Sequence, residues 1–196
     1  MGTLGATTTF VVFYLMTVFA LGWATGALGF GRQEFLILQM VSVLFFGLTI
    51  PFSAILADRI GERLMLMIAT ILIMAFGFAF RPLFSGHGAM NVFVFLALGF
   101  ALTGLTYGPL GSALSSLFPT AVRYTGTSLS FNLAGILGAS LAPPIATLLA
   151  SHYGVAYVGY YLSAAGLVTL IALFLIKADP SPGAVSSNGE LKGELE

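Results

Sequence analysis

Polar and charged residues fall along this chain in short clusters. The stretches between the clusters stay apolar for roughly 20 residues at a time, the length an α-helix needs to cross a hydrocarbon core. Six such segments are delimited by charged and Gly/Pro-rich breaks, at residues 7–30, 34–57, 64–84, 90–114, 125–152 and 156–176. Each is expected to be a transmembrane helix. With short connections between them, residues 1–177 form one all-α membrane domain of six helices. From Lys177 onward, Pro180, Pro182, Gly183 and the charged ending GELKGELE carry no apolar period, so 178–196 is expected to be a disordered cytoplasmic tail.

Composition carries the same message. Of 196 residues 58% are hydrophobic and only 7% charged, and the mean hydropathy is +1.03. A soluble fold needs roughly a quarter of its residues charged, so the surplus apolar surface implies contact with a lipid bilayer. Seven basic residues balance seven acidic ones, which points to no nucleic-acid or polyanionic partner. The chain has no cysteine, which excludes disulfides, thiol catalysis and thiolate metal sites. The first segment lacks a basic region before it and five further apolar segments follow, so it reads as a retained span. Arg59, Arg63, Arg123 and Lys177 fall on one side of the membrane and only Arg32 and Arg81 on the other. The positive-inside rule then places both termini in the cytoplasm.

Helix-breaking residues inside the spans are informative, because lipid cannot hydrogen-bond a carbonyl that proline leaves free. Pro51 lies near the inner end of the second span. Gly108 and Pro109 lie in TYGPLG of the fourth, and Pro143 and Pro144 in SLAPPIA of the fifth. These breaks read either as packing kinks or as points where spans four and five bend during gating. Gly104 with Gly108, and Gly135 with Ala139, are spaced to let those helices approach a neighbour closely.

The run PFSAILADRIGERLML joins spans two and three. Asp58 ends one helix, Gly61 permits a tight reversal between Arg59 and Arg63, and Leu64 starts the next helix. This run resembles the loop signature of the major facilitator superfamily, Gly-x-x-x-Asp-Arg-x-Gly-Arg-Arg. It matches at Asp58, Arg59, Gly61 and Arg63, and differs at Ala54 and Glu62. In that family the loop is a cytoplasmic charge lock favouring one of the alternating-access states. Between spans four and five, Pro119 and Thr120 break the helix, and Arg123 is an isolated cation at the membrane boundary. It reads either as snorkelling to lipid phosphates or as pairing with a carboxylate, for which Asp58 is the nearest candidate. The core FPTAVRYTG is similar to the metabolite:proton symporter branch of the superfamily, with Ser116 where an acidic residue is usual and Ala121 where Arg is usual. The first-span run FYLMTVFALGWATGALGFGR resembles the seventh helix of such symporters.

The resemblance implies the carboxyl-terminal six-helix half of a transporter, two three-helix inverted repeats that bind solute near the bilayer midplane. The candidate cavity residues are polar groups at that depth: Tyr14 and Thr17 on one face of the first span, Gln39 in the second, Tyr107 in the fourth and Asn132 in the fifth. For the hydroxyl residues the competing reading is a bond to their own helix backbone. No Asp, Glu, Lys or Arg lies in the middle of a span. A coupling proton would therefore titrate in an amino-terminal half. His87 and His152 are far apart in sequence and without clustered carboxylates, so no metal site, cofactor or enzyme activity is expected. The expected partners are a small-molecule solute, protons, the lipid bilayer, and an amino-terminal half or a second copy. The expected location is the inner (plasma) membrane. The rival reading is a truncated or non-transporting membrane module.

Overall fold

A computed structural model describes residues 2–84 and 88–175; His87, Lys177 and the tail 178–196 lie outside the described residues. The chain is all-α. The first span, Gly2–Gly26, consists of α1 (Gly2–Tyr14), a π-helical turn (Leu15–Phe19) and α2 (Ala20–Gly26). There follow α3 (Arg32–Ile60), α4 (Glu62–Phe78), α5 (Phe80–Phe84), α6 (Ala89–Ser115), α7 (Arg123–Tyr153) and α8 (Val155–Leu175). The first span, α3, α6, α7 and α8 are each long and apolar enough to cross a membrane. The third span is divided. α4 has only 17 residues, and α5 continues it after Ala79. The cause is Pro82, which cannot donate to the carbonyl of Phe78 four residues back and whose ring crowds it.

The helices overrun the expected boundaries because backbone hydrogen bonding continues past the hydrocarbon edge. α3 includes Arg32, Glu34, Asp58 and Arg59 at its ends, where long charged side chains reach the headgroups. The reversals from α3 to α4 and from α7 to α8 are a single residue each, Gly61 (φ 94°) and Gly154 (φ 93°). A side chain is strained in that conformation, so glycine is what allows antiparallel neighbours to be joined so tightly.

Packing follows a symmetric plan. α3 lies chiefly on α6, α1 on α7 and α4 on α8, with α4–α6 and α1–α8 next in extent. Exchanging the first three spans with the last three carries the second–fourth pair onto the fifth–first pair. It carries the third–fourth pair onto the sixth–first pair and leaves the third–sixth pair in place. Two three-helix repeats of inverted topology produce this pattern. Small residues set the closest approaches. A Cβ at Gly104 would lie 2.6 Å from the Phe46 carbonyl oxygen, and one at Gly108 2.7 Å from that of Ile50. The Ser53 hydroxyl, beside Gly108, donates to the Gly104 carbonyl at 3.1 Å. Gly77 and Gly159 bring α4 and α8 equally close. Between α1 and α7 the closest approach is at Gly138, where a Cβ would lie 2.5 Å from Phe10 Cβ, whereas one at Gly135 would make ordinary contact with the Phe10 ring at 3.6 Å. Near one membrane face the core is phenylalanine, with Phe84 stacked on Phe95 at 4.4 Å and Phe80 edge-on to Phe95 at 4.7 Å.

Unlike Pro82, the other four in-span prolines lie inside continuous helices: Pro51 in α3, Pro109 in α6, and Pro143 and Pro144 in α7. Pro109 is buried and Gly108 sits against Ser53, so this pair packs α6 on α3. Apart from the break between α4 and α5, the irregular helix is the first span, at its π turn.

Candidate functional site

One face of the bundle carries a series of clefts that meet along α1 and α7. Between α1, α3 and α6, a cleft of about 220 Å³ is lined by Thr9, Phe10, Phe13, Tyr14, Phe46 and Tyr107. Phe10 and Tyr14 also border a second cleft of about 350 Å³, whose other wall on α7 includes Phe131, Asn132, Ala139 and Ser140. Phe131 and Asn132 in turn border a third, of about 530 Å³, at the corner between α6 and α7, with Thr120, Arg123, Thr127 and Ser128.

The first cleft is ringed by aromatic side chains. Phe13 meets Phe46 at 6.0 Å, Phe46 meets Tyr107 at 5.5 Å, Tyr107 meets Phe131 at 6.2 Å and Phe131 meets Phe10 at 4.9 Å. Phe10 and Phe13 share a helix face, which closes the circuit. The last three of these contacts are edge-to-face, the arrangement that aromatic rings prefer. Within this apolar setting Tyr14, Tyr107 and Asn132 supply the polar groups, which is how small-molecule sites are usually composed. Asn132 Nδ2 donates to the Ser128 carbonyl at 2.8 Å, and the residue is exposed to the groove.

The other two polar candidates take a different place. Thr17 Oγ1 donates to the Phe13 carbonyl at 2.8 Å, a bond to its own helix. Gln39 and Thr17 line none of these three clefts. Gln39 instead mends the π turn. The Ala20 N–H donates to Leu15, five residues back, and so misses the Met16 carbonyl that an α-helix would have given it. Gln39 Nε2 donates to Met16 O at 2.9 Å and to Thr17 O at 3.0 Å. A buried carbonyl that the irregular turn leaves over is thereby satisfied from the neighbouring helix.

The charged loop sits at the end of the bundle that also holds the start of α1 and the end of α8. A Cβ at Gly2 would meet Ser130 and Leu114. Arg63 Nε donates to Leu173 O at 2.8 Å and Arg63 Nη2 to Phe174 O at 3.0 Å. Arg63 thus caps the last carbonyls of α8, where a cation also suits the helix dipole. Asp58 and Arg59 are exposed at the end of α3. Asp58 does not pair with Arg123: among the described residues Arg123 Nε donates to the Phe118 carbonyl alone, at 3.4 Å. The loop holds Arg63 on a helix terminus, and its exposed Asp58 makes no described ion pair with Arg123.

Residues 1–194 match the Major Facilitator Superfamily, and the chain belongs to it. It is 47% identical over 180 residues to the inner membrane metabolite transport protein YhjE of Escherichia coli, covering 89% of this chain and 41% of that protein. It is 40% identical to a putative metabolite transport protein of Haemophilus influenzae, covering 90% of this chain and 43% of that one. It is 29% identical to the citrate-proton symporter of Klebsiella pneumoniae, covering 84% and 37%. The chain therefore spans about two-fifths of the length of these relatives. It belongs to a family of membrane transporters and not of enzymes.

Proposed function

We propose that this chain is the carboxyl-terminal six-helix half of a secondary transporter that moves a small organic acid or osmolyte by proton-coupled symport and alternating access. The observation that carries this reading is the groove between α1, α6 and α7, where Tyr14, Tyr107 and Asn132 offer fixed polar groups within aromatic walls. Its opposite wall is a second six-helix unit, either an amino-terminal half or another copy of this chain. The burial pattern supports that assignment. Only 17% of the most apolar stretch of α3 and 28% of that of α7 is buried, against 56% in the first span and 50% in α6. The two helices left bare are related by exchange of the repeats. The described spans carry no charged side chain near their middle, so the proton-binding carboxylate belongs to the partner unit.

The names of the relatives support the solute class: metabolite transport, citrate with protons, and shikimate. The membrane is the inner membrane, and both termini face the cytoplasm. Arg59, Arg63 and Arg123 are gathered at the end of the bundle that holds the start of α1 and the end of α8, where the positive-inside rule puts the cytoplasm.

Uptake into vesicles under an imposed inward acid gradient tests the reading, with the chain alone and with the segment of the Escherichia coli relative that it does not cover. Citrate, shikimate, succinate and betaine are the solutes. Uptake in the combined vesicles that Asn132→Ala removes is the expected result. Uptake by the chain alone would make a second copy the partner. Folded protein that moves no solute in either arrangement would leave a non-transporting module and overturn the proposal.

A further inference from the structure

Arg123 is the only Asp, Glu, Lys or Arg between Arg81 and Lys177, and it stands exposed at the mouth of the third cleft. Its one described bond is the 3.4 Å contact from Nε to Phe118 O, which leaves the two Nη groups, the paired fork that grips a carboxylate, with no acceptor among the described residues. Among the described residues no carboxylate lines this cleft. The cleft carries further donors. Arg123 opens α7, and the preceding Val122 gives that helix no side-chain cap, so the first N–H groups add their positive end to the guanidinium. Thr127 borders the cleft, and its hydroxyl oxygen, shut off from solvent, has no hydrogen-bond partner among the described residues, so turning about χ1 toward the cleft costs it no bond. A buried hydroxyl in that position costs stability unless an occupant bonds it. Ser128 and Asn132 continue the polar wall from here to the second cleft.

We propose that this corner is an oxyanion subsite that receives the carboxylate of the transported organic acid at the α6–α7 end of the groove. It rests on the transport reading above and deepens it. The solute's neutral part lies along the aromatic walls, and its carboxylate meets Arg123 and Thr127 before it enters or after it leaves the interior. The subsite selects for a carboxylate group, so choline, which has none, is not retained there.

The test uses the full chain labelled with 15N-arginine in discs of zwitterionic phosphatidylcholine. Citrate is titrated against the guanidinium resonances, and Arg123 is assigned as the one lost in Arg123→Lys. A saturable shift of the Arg123 resonance with citrate and none with choline is expected. Thr127→Val, which keeps the side-chain shape, should weaken the apparent affinity about tenfold or more, as loss of a hydrogen bond to a charged group does. No shift with citrate overturns the subsite. A resonance that ignores citrate and moves only when phosphatidylglycerol is added also overturns it, and assigns Arg123 to a lipid headgroup. Because the signal is read at Arg123, a negative result here leaves the uptake experiment to stand or fall separately. A positive result beside failed uptake overturns the transport reading instead.

Discussion

Gln39 separates two meanings of a polar residue in the bilayer. An amide at this depth must find partners, and its sequence position says only that much. The solute and a neighbouring backbone are equally good acceptors on paper. What decides between them is the π turn at Leu15–Phe19, and the sequence LMTVF has nothing to announce it. With the turn in place the Ala20 N–H goes to Leu15 and no longer to the Met16 carbonyl, and Gln39 takes that acceptor. Gln39→Leu should accordingly lower stability by about 1–2 kcal/mol, the cost of an unpaired buried carbonyl moderated by what neighbouring groups recover in a membrane. Thr17→Val, losing only a bond to its own helix, should be close to neutral. Chemical unfolding in detergent measures both. If Gln39→Leu left stability unchanged and abolished solute binding, the residue would be a ligand and the account of the π turn would be wrong.

At the scale of elements, the most extensive helix contact, α3 with α6, depends on two glycines four residues apart. A Cβ at Gly104 would press on Phe46 O at 2.6 Å and on the Thr49 side chain, while one at Gly111, two turns along the same helix, would meet nothing within 4 Å. Gly104→Ala should therefore cost about 1–3 kcal/mol, the range for overpacking a filled interface. Gly111→Ala should be neutral or stabilising by up to about 1 kcal/mol, since alanine is the better helix former. The comparison of the two substitutions by thermal unfolding isolates packing from propensity; equal effects would mean the helices are not held by close approach at Gly104. The spacing of Gly104 and Gly108 was legible in the sequence, as were the spans and the reversal at Gly61. Gly138 was not, although Gly135 and Ala139 flank it. Small residues four apart mark a helix stripe, but in a span that is apolar on every side nothing tells which stripe faces the neighbour. The same uniformity hid Phe10, Phe13, Phe46 and Phe131 among 18 phenylalanines, whereas Tyr14, Tyr107 and Asn132 stood out because polarity is rare there. The break before Pro82 was missed for the opposite reason: hydropathy continues through a point where the hydrogen-bond ladder does not.

For the whole molecule the decisive asymmetry is where apolar surface remains uncovered. Met40, Leu44, Leu48 and Phe52 form an exposed ridge on α3, and Leu129, Leu133, Ile136 and Leu141 one on α7. Ile171, Phe174 and Leu175 are as exposed on α8. Lipid can cover any of these, so exposure alone does not distinguish a lipid face from a protein face. The pairing of helices does. α3 and α7 exchange under the repeat symmetry and flank the groove through Phe46 and Asn132, while α8 packs on α4 at the side away from those clefts. A second six-helix unit that completes the groove must then cover α3 and α7 and leave α8 to lipid. The chain has no cysteine, so single spin labels can be placed at Leu48→Cys, Leu133→Cys and Ile171→Cys without background. On reconstitution with the partner unit, collision with dissolved oxygen, which concentrates in lipid, should fall at positions 48 and 133 and stay high at 171. A fall at 171 with positions 48 and 133 unchanged would put the partner on the α8 side. The clefts along α1 and α7 would then open to the bilayer and could not serve as the solute path.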